Sequence, residues 1–487
     1  MKIYPFPKEY KKKSDAFKVW ADGCELDVYS CDVSAYPFNR VWEGVQRDKR
    51  QTEQASFVML GEDGNLTLEI EPKADFKNVI VRPLSKNVTP EVCGNKIKVN
   101  FSKCGQYSIE FDNMHNVLTV FINSEKEFEI NKKDKNVLYF GKGVHIVDER
   151  IELNDNQTIF IDEGAVLFGS INATEKKNIK VVGYGILDNS RMRRANEING
   201  CAILDKNAGD MTGNPFFFSK CENIVIDGIT VVDSSGWNMY FDGCENIIVN
   251  NIKIIGQWRY NADGCDFCNC SNSIIKNSFL RTFDDCVTVK GFKLNNNLPI
   301  QNILTENCTL WCDWGKALEV GAETCAPYIS SVTFRNCDII HGSVIMLDIQ
   351  QGDGADIDNV VFEDIRIEYS GGEMKPAIES NKCKEYPHIG VLHIPIPFSV
   401  KSGLTMWSID DHCGDMKNVY FKNINILADE KIEFSNCNIK PNDKSNMISD
   451  VYFENIMLNS KKFDFDKLGL EISELVNNIF FDGIKIK

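Results

Sequence analysis

One short pattern recurs ten times along the chain, and it limits the possible fold more than any other feature. It reads Asn223-Ile-Val-Ile-Asp-Gly-Ile-Thr-Val231, Asn246-Ile-Ile-Val-Asn-Asn-Ile-Lys-Ile254 and Asn359-Val-Val-Phe-Glu-Asp-Ile-Arg-Ile367. The other copies begin at residues 178, 273, 302, 331, 418, 450 and 478, with Ser at 273 and 331 and Asp at 450 in the leading place. Most consecutive copies lie 23–32 residues apart. Each copy is two period-two apolar stretches joined by a polar corner, too short to close a core alone. Units of that kind bury their apolar faces by stacking on their neighbours. The leading Asn tolerates a left-handed backbone and can bond to the matching corner of the next unit. Leucine-rich spacing is absent, and β-branched and aromatic residues dominate. The pattern therefore predicts a right-handed parallel β-helix over residues 131–487, in an all-β protein.

Residues 1–130 lack the repeat. Segments 18–34, 57–60, 66–70, 78–84, 96–101, 106–111 and 117–122 read as strands between Gly, Pro, Asp and Asn turns, which predicts an N-terminal antiparallel β-sandwich. Two gaps break the period, one between the copies at 178 and 223 and the other between those at 359 and 418. The second holds Gly371, Gly372, Pro376, Pro387, Pro395 and Pro397, then Trp407, Asp410, Asp411 and His412. Insertions in a solenoid emerge as loops on one face, often the binding face. A plain solvated loop is the other reading, and whether 371–412 closes a groove stays open.

The formal net charge is −16 and the pI about 5.0. The basic runs Lys11–Lys13 and Arg191, Arg193 and Arg194 are short, so nucleic acid is not an expected partner. No stretch of about 18 apolar residues suits a membrane, and Met1–Tyr10 has no signal-peptide core. With 18 cysteines, this points to a reducing cytoplasm. Cys265, Cys268 and Cys270 form a C-x-x-C-x-C run without a partner pair at zinc-finger spacing. They are read as small buried wall residues, and no metal or cofactor is expected. No feature fixes an oligomeric state.

Asp263 stands in Asn261-Ala-Asp-Gly264, and the pair Asp284-Asp285 follows 21 residues later. On stacked coils three such carboxylates converge on one patch of wall. Glycosidic bond hydrolysis needs one carboxyl group to protonate the leaving oxygen and another to activate water. The alternative is that they are polar corners only.

These residues, together with Gly315-Lys-Ala-Leu-Glu-Val-Gly321 on the repeat background, resemble the β-helical glycosidase clan. That clan unites the polygalacturonases of glycoside hydrolase family 28 with the dextranases and isopullulanases of family 49. A sandwich ahead of the helix is similar to the family 49 arrangement. The resemblance implies Asp284 as general acid, Asp263 and Asp285 holding the hydrolytic water, inversion at the anomeric carbon, and Asn261 bonding substrate. Two departures bear on the substrate. Lys316 replaces the His of the polygalacturonase Gly-His-Gly motif. Asp348 and Gln350, in Leu347-Asp-Ile-Gln350, stand where polygalacturonases have an Arg-x-Lys pair. An Asp there repels a uronate, and Gln offers neutral hydrogen bonds suited to hydroxyls.

The expected substrate is thus a neutral, α-linked glucan or oligosaccharide. The alternatives are a hydrolase of pectic fragments and a glycan-binding β-helix without catalysis. Lys290 and Lys316 are candidates to bond substrate hydroxyls or tune Asp285, and Glu319 is either catalytic support or a solvated strand residue. Trp258, Tyr260, Trp311 and Trp314 flank the motifs, as rings stacked on sugar or as packing.

Overall fold

The computed structural model describes residues 1–34, 52–192, 213–369, 396–429, 434, 437–441, 446–464 and 470–487, with two further short strands at Ala377–Glu379 and Lys384–Tyr386. Gly371, Gly372, Pro376, Pro387, Pro395, Arg193 and Arg194 lie outside the described residues.

Alternation builds the N-terminal unit as predicted. In Leu66–Pro72, Leu66, Leu68 and Ile70 turn inward while Thr67 and Glu69 face out. Two sheets enclose one apolar core that includes Val19, Leu68, Val99, Ile109 and Leu118. Among the described residues pairing here is antiparallel with one exception, since Asn113–Asn123 runs parallel to Thr52–Gly61. The last strand of this unit ends at Asn123, and the first strand of the helix is Val137–Phe140.

From there the chain winds as a parallel β-helix whose coils present three faces. Glu245–Asn250, Lys253–Ile255 and Cys265–Cys268 make one coil, and each pairs in parallel with the strand above and below it. The resulting faces are called here the first, second and third sheets. The first sheet stacks identical positions: Ser273, Ile303, Val332, Val360, Val419, Val451 and Ile479 form one inward column. The corner asparagines adopt the left-handed backbone, with φ of 60° at Asn223, 58° at Asn246 and 58° at Asn302. Their amides climb the helix, Asn223 to Asn178 at 3.0 Å, Asn246 to Asn223 at 3.2 Å and Asn302 to Asn272 at 2.9 Å. In the coil read as starting at Ser273, Asn272 is the left-handed corner (φ 50°). Cysteines at other corners point inward and donate to a carbonyl two residues back, as Cys221 does to Ser219 and Cys270 to Cys268, both at 3.3 Å.

The second sheet packs on the N-terminal unit. Val232, Ile255, Phe279 and Trp311 meet Tyr29, Phe57 and Phe121, with the Phe121 and Phe279 rings 5.4 Å apart. Beside this apolar contact runs a buried charged network. Arg82 pairs with Glu110 at 3.1 Å and with Glu368, His341 Nε2 lies 2.6 Å from Glu110, and the Leu84 amide donates to Glu368 at 2.6 Å. With the interior filled and the second sheet covered, the outer faces of the first and third sheets remain, and the third is the one that adjoins the aspartate corner. Loop 403–415 borders it and is tied back by Asp353, whose Oδ1 accepts the amides of Ile409 and Asp410. Trp407 on that loop is half exposed. No helix among the described residues is long and apolar enough to cross a membrane.

Candidate active site

Successive coils deliver the three aspartates to one place. Asp263 lies between the second- and third-sheet strands Lys253–Ile255 and Cys265–Cys268, and Asp284 and Asp285 occupy the same corner one coil on. Backbone bonds fix the stacking, with the Gly264 amide on the Asp285 carbonyl at 2.8 Å and the Asn238 amide on the Asp263 carbonyl at 2.8 Å. One oxygen from each carboxylate lies within 4.8 Å of the others, and all three residues are buried.

Lysines flank the trio. Lys290 Nζ stands 3.5 Å from Asp263, 3.5 Å from Asp266 and 3.8 Å from Asp285. Three carboxylates this close could serve as cation ligands, but the Lys290 ammonium already supplies positive charge among them. Lys316 donates its amide to Asp285 Oδ1 at 2.7 Å and its ammonium to Glu319 at 2.9 Å.

Burial and mutual repulsion divide the carboxyl groups. Burial, then the neighbouring Asp285 charge, pushes Asp284 up to about 8. Burial also raises Asp263 well above the carboxylate range, with the Asp284 charge adding to it. Burial pushes Asp285 upward too, but the ammonium groups of Lys316 and Lys290 outweigh it and leave it below its ordinary value. Near neutral pH the patch therefore holds a protonated Asp284 beside an ionised Asp285, an acid and a base side by side.

Gly315 permits this geometry. A Cβ there would sit 2.3 Å from Asp285 Oδ1 and 2.5 Å from Asp284 Oδ1. Gly315→Ala is expected to displace both carboxylates, lowering kcat by about 10²-fold or more, as a displacement of about 1 Å in a catalytic site does. Steady-state kinetics beside a thermal melt would check this, and an unaltered kcat in a folded variant would refute it.

The remaining candidates fall into two groups. Glu319 is wholly buried, excluding the solvated reading, and stands in register with Asp348. Asp348 is buried with neither carboxylate oxygen hydrogen-bonded, and Gln350 lies between Gly321 and Lys401 of the adjacent coils. Tyr260 and Phe283 pack on half-buried Trp314, at 5.5 and 5.8 Å. Asn261 has φ 55°, so its residue type also serves the turn that presents Asp263.

Trp258 and Trp311 are not available to stack on sugar. Trp258 is buried and its indole N–H bonds Asp233 at 3.1 Å. Trp311 is buried against the N-terminal unit, its ring 4.2 Å from His341. Both sit beside the aspartate and glycine motifs in sequence, but burial turns them to packing. Asp266 was missed, although it alternates outward between inward Cys265 and Phe267, and burial raises it to about 7.

Comparison with known proteins agrees with this architecture. Among solved structures, Dex49A from Penicillium minioluteum superposes with a TM-score of 0.67 at 13% identity, covering 97% of this chain and 96% of that one. It shares the fold, N-terminal unit included. Among curated proteins, those named probable exopolygalacturonase B from Aspergillus flavus and Aspergillus oryzae are each 25% identical over 232 residues, 43% of this chain. The chain spans about half the length of these relatives, 51%. The sequence pattern of glycosyl hydrolases family 28 matches residues 126–457, which takes in the whole carboxylate patch. The chain belongs to family 28 of the glycosyl hydrolases.

Proposed function

We propose that the protein hydrolyses O-glycosidic bonds of a neutral, α-linked glucan or oligosaccharide. The observation that carries the hydrolase reading is the convergence of Asp263, Asp284 and Asp285 on one corner, with one oxygen of each within 4.8 Å of the others, and the lysines beside Asp285 favour the proton on Asp284. Asp284 protonates the leaving oxygen. Asp285 and Asp263 hold the attacking water, and Asp285, the ionised member, is the base that takes its proton. Lys290 holds Asp263 and Asp285 together as charge develops. Their nearest oxygens are closer than two-carboxylate inversion usually requires, so inversion is assigned on family membership.

The neutral substrate follows from the floor beside the trio. Asp266, Glu319 and Asp348 present acidic side chains on the same outer face, and Asp348 replaces a cation that would otherwise grip a uronate. A galacturonide is the second reading, favoured by the names of the curated relatives and by Lys401 in register with Gln350. Incubation with neutral α-glucan oligosaccharides and with oligogalacturonides, read by mass spectrometry and by NMR of the nascent anomer, separates the two. Cleavage of a neutral member with gain of water and inverted product is expected. Cleavage confined to galacturonides would overturn the substrate assignment, and an inert panel would overturn the hydrolase reading.

A further inference from the structure

The outer face of the third sheet changes character at the catalytic coil. One column of side chains is aromatic at Phe217 and Tyr240 and then becomes polar and acidic through Asp266, Glu319 and Asp348. Phe217 and Tyr240 are partly exposed, whereas their strand neighbours Phe216, Phe218, Met239 and Phe241 are buried inside the helix. Two further half-exposed rings join them. Trp237 lies 4.9 Å from Tyr240, edge to face, and 6.1 Å from Phe292, and the Phe217 and Tyr240 rings are 5.2 Å apart.

This patch adjoins the carboxylates through a single side chain. Lys290 Nζ stands 4.5 Å from the Trp237 ring centroid, and the same ammonium contacts Asp263 and Asp285. Coils rise by about 4.8 Å, so Tyr240 and Phe217 sit one and two coils from Asp266 along the third sheet. Four contiguous part-exposed rings are a surface that water wets poorly. Ring faces carry negative charge and attract the weakly positive C–H groups on one face of a pyranose. The stretch farther along sets Thr288 and the ammonium groups of Lys290 and Lys316 among its carboxyl groups, and so offers polar partners to hydroxyls. The two stretches of this face thus suit different faces of a sugar chain.

We infer that Phe217, Trp237, Tyr240 and Phe292 form a sugar-binding subsite beside the cleavage point, which takes the apolar C–H face of an uncharged pyranose. The inference rests on the hydrolase reading for its location, and its test separates the two. Trp237→Ala and Phe217→Leu are made in the Asp284→Asn background, so that binding is read without turnover. Titration calorimetry uses neutral α-gluco-oligosaccharides and oligogalacturonides of increasing length, and thermal melts confirm the fold. The Asp284→Asn protein is expected to bind longer neutral members more tightly. Each aromatic substitution should weaken the longest by about 10-fold, and Trp237→Phe, which keeps a ring, should restore most of the loss. Phe217→Leu keeps apolar volume in the wall, so a loss there reports the ring and not a collapsed strand. Affinities matching the parent's at every length would overturn the inference, as would a parent that binds no neutral member. Ring-dependent binding without cleavage by the wild type would leave the subsite standing and remove the hydrolase reading. Cleavage with ring-independent binding would do the reverse.

Discussion

Asp284→Asn is expected to lower kcat by about 10²–10⁴-fold, the span of a lost general acid, with the fold intact. Asn fills the same volume but has no proton to give at the strength a leaving alkoxide needs. The wild-type kcat/KM profile carries the same signature. It should fall as pH rises through about 8, where Asp284 loses its proton, and fall again at low pH when Asp285 gains one. Because Asp285 is held below its ordinary value, that acid limb lies below the usual carboxylate range. In the Asn variant the alkaline limb should vanish, since the group that titrates there is gone. A glycosyl fluoride, whose leaving group needs no proton, should recover much of the rate. An Asn variant that keeps the alkaline limb, or gains nothing from the fluoride, would take Asp284 out of the acid's role.

The second large effect is structural. Arg82→Ala should destabilise the protein by about 3–5 kcal/mol, the usual cost of stranding buried charge by removing one partner. Arg82 is buried between Glu110 and Glu368, so its loss leaves two carboxylates in the contact between the N-terminal unit and the helix. The two acids differ. Burial raises Glu368, which has Arg82 and one amide as partners. Burial also pushes Glu110 up, but His341 and Arg82 outweigh it and hold it at about 2. A group depressed on folding stabilises above its unfolded value, so the share from Glu110 is present above pH 4.5 and lost as pH falls towards 2. Urea unfolding at pH 7 and at pH 3 would check both statements. Equal midpoints for Arg82→Ala and wild type at pH 7 would show the network to be dispensable.

How far the sequence could be read depended on what each residue had to satisfy. The coils were legible because inward positions must be apolar at every turn and corner positions must tolerate positive φ, which leaves a mark in each repeat. The carboxylate trio was legible for the opposite reason, since three acids at one corner serve no packing purpose. The tryptophans were not. Alternation states whether a side chain points into the helix or away from it, but Trp311 points away and is still buried, because another unit docks on its sheet. Phe217 and Tyr240 were legible in principle. Each sits between two inward apolar residues, so alternation places it outside, and an aromatic residue outside is the anomaly that went unread. The parallel pair inside the sandwich left no trace, because strand direction is set by chain path and not by composition.

The asparagine ladder has a consequence for how such a protein can change. Its rungs lock each coil to the next at the turn from the third sheet into the first, across the third sheet from the carboxylate corner, and the inward columns complete that lock without help from the outer face. Inheritance of the scaffold is thereby uncoupled from inheritance of taste. A substitution at an outward position of one coil rewrites a single letter of the surface that meets sugar while the spelling of its neighbours stays intact. Outward substitutions can thus accumulate coil by coil while the carboxylate corner stays in the same frame throughout.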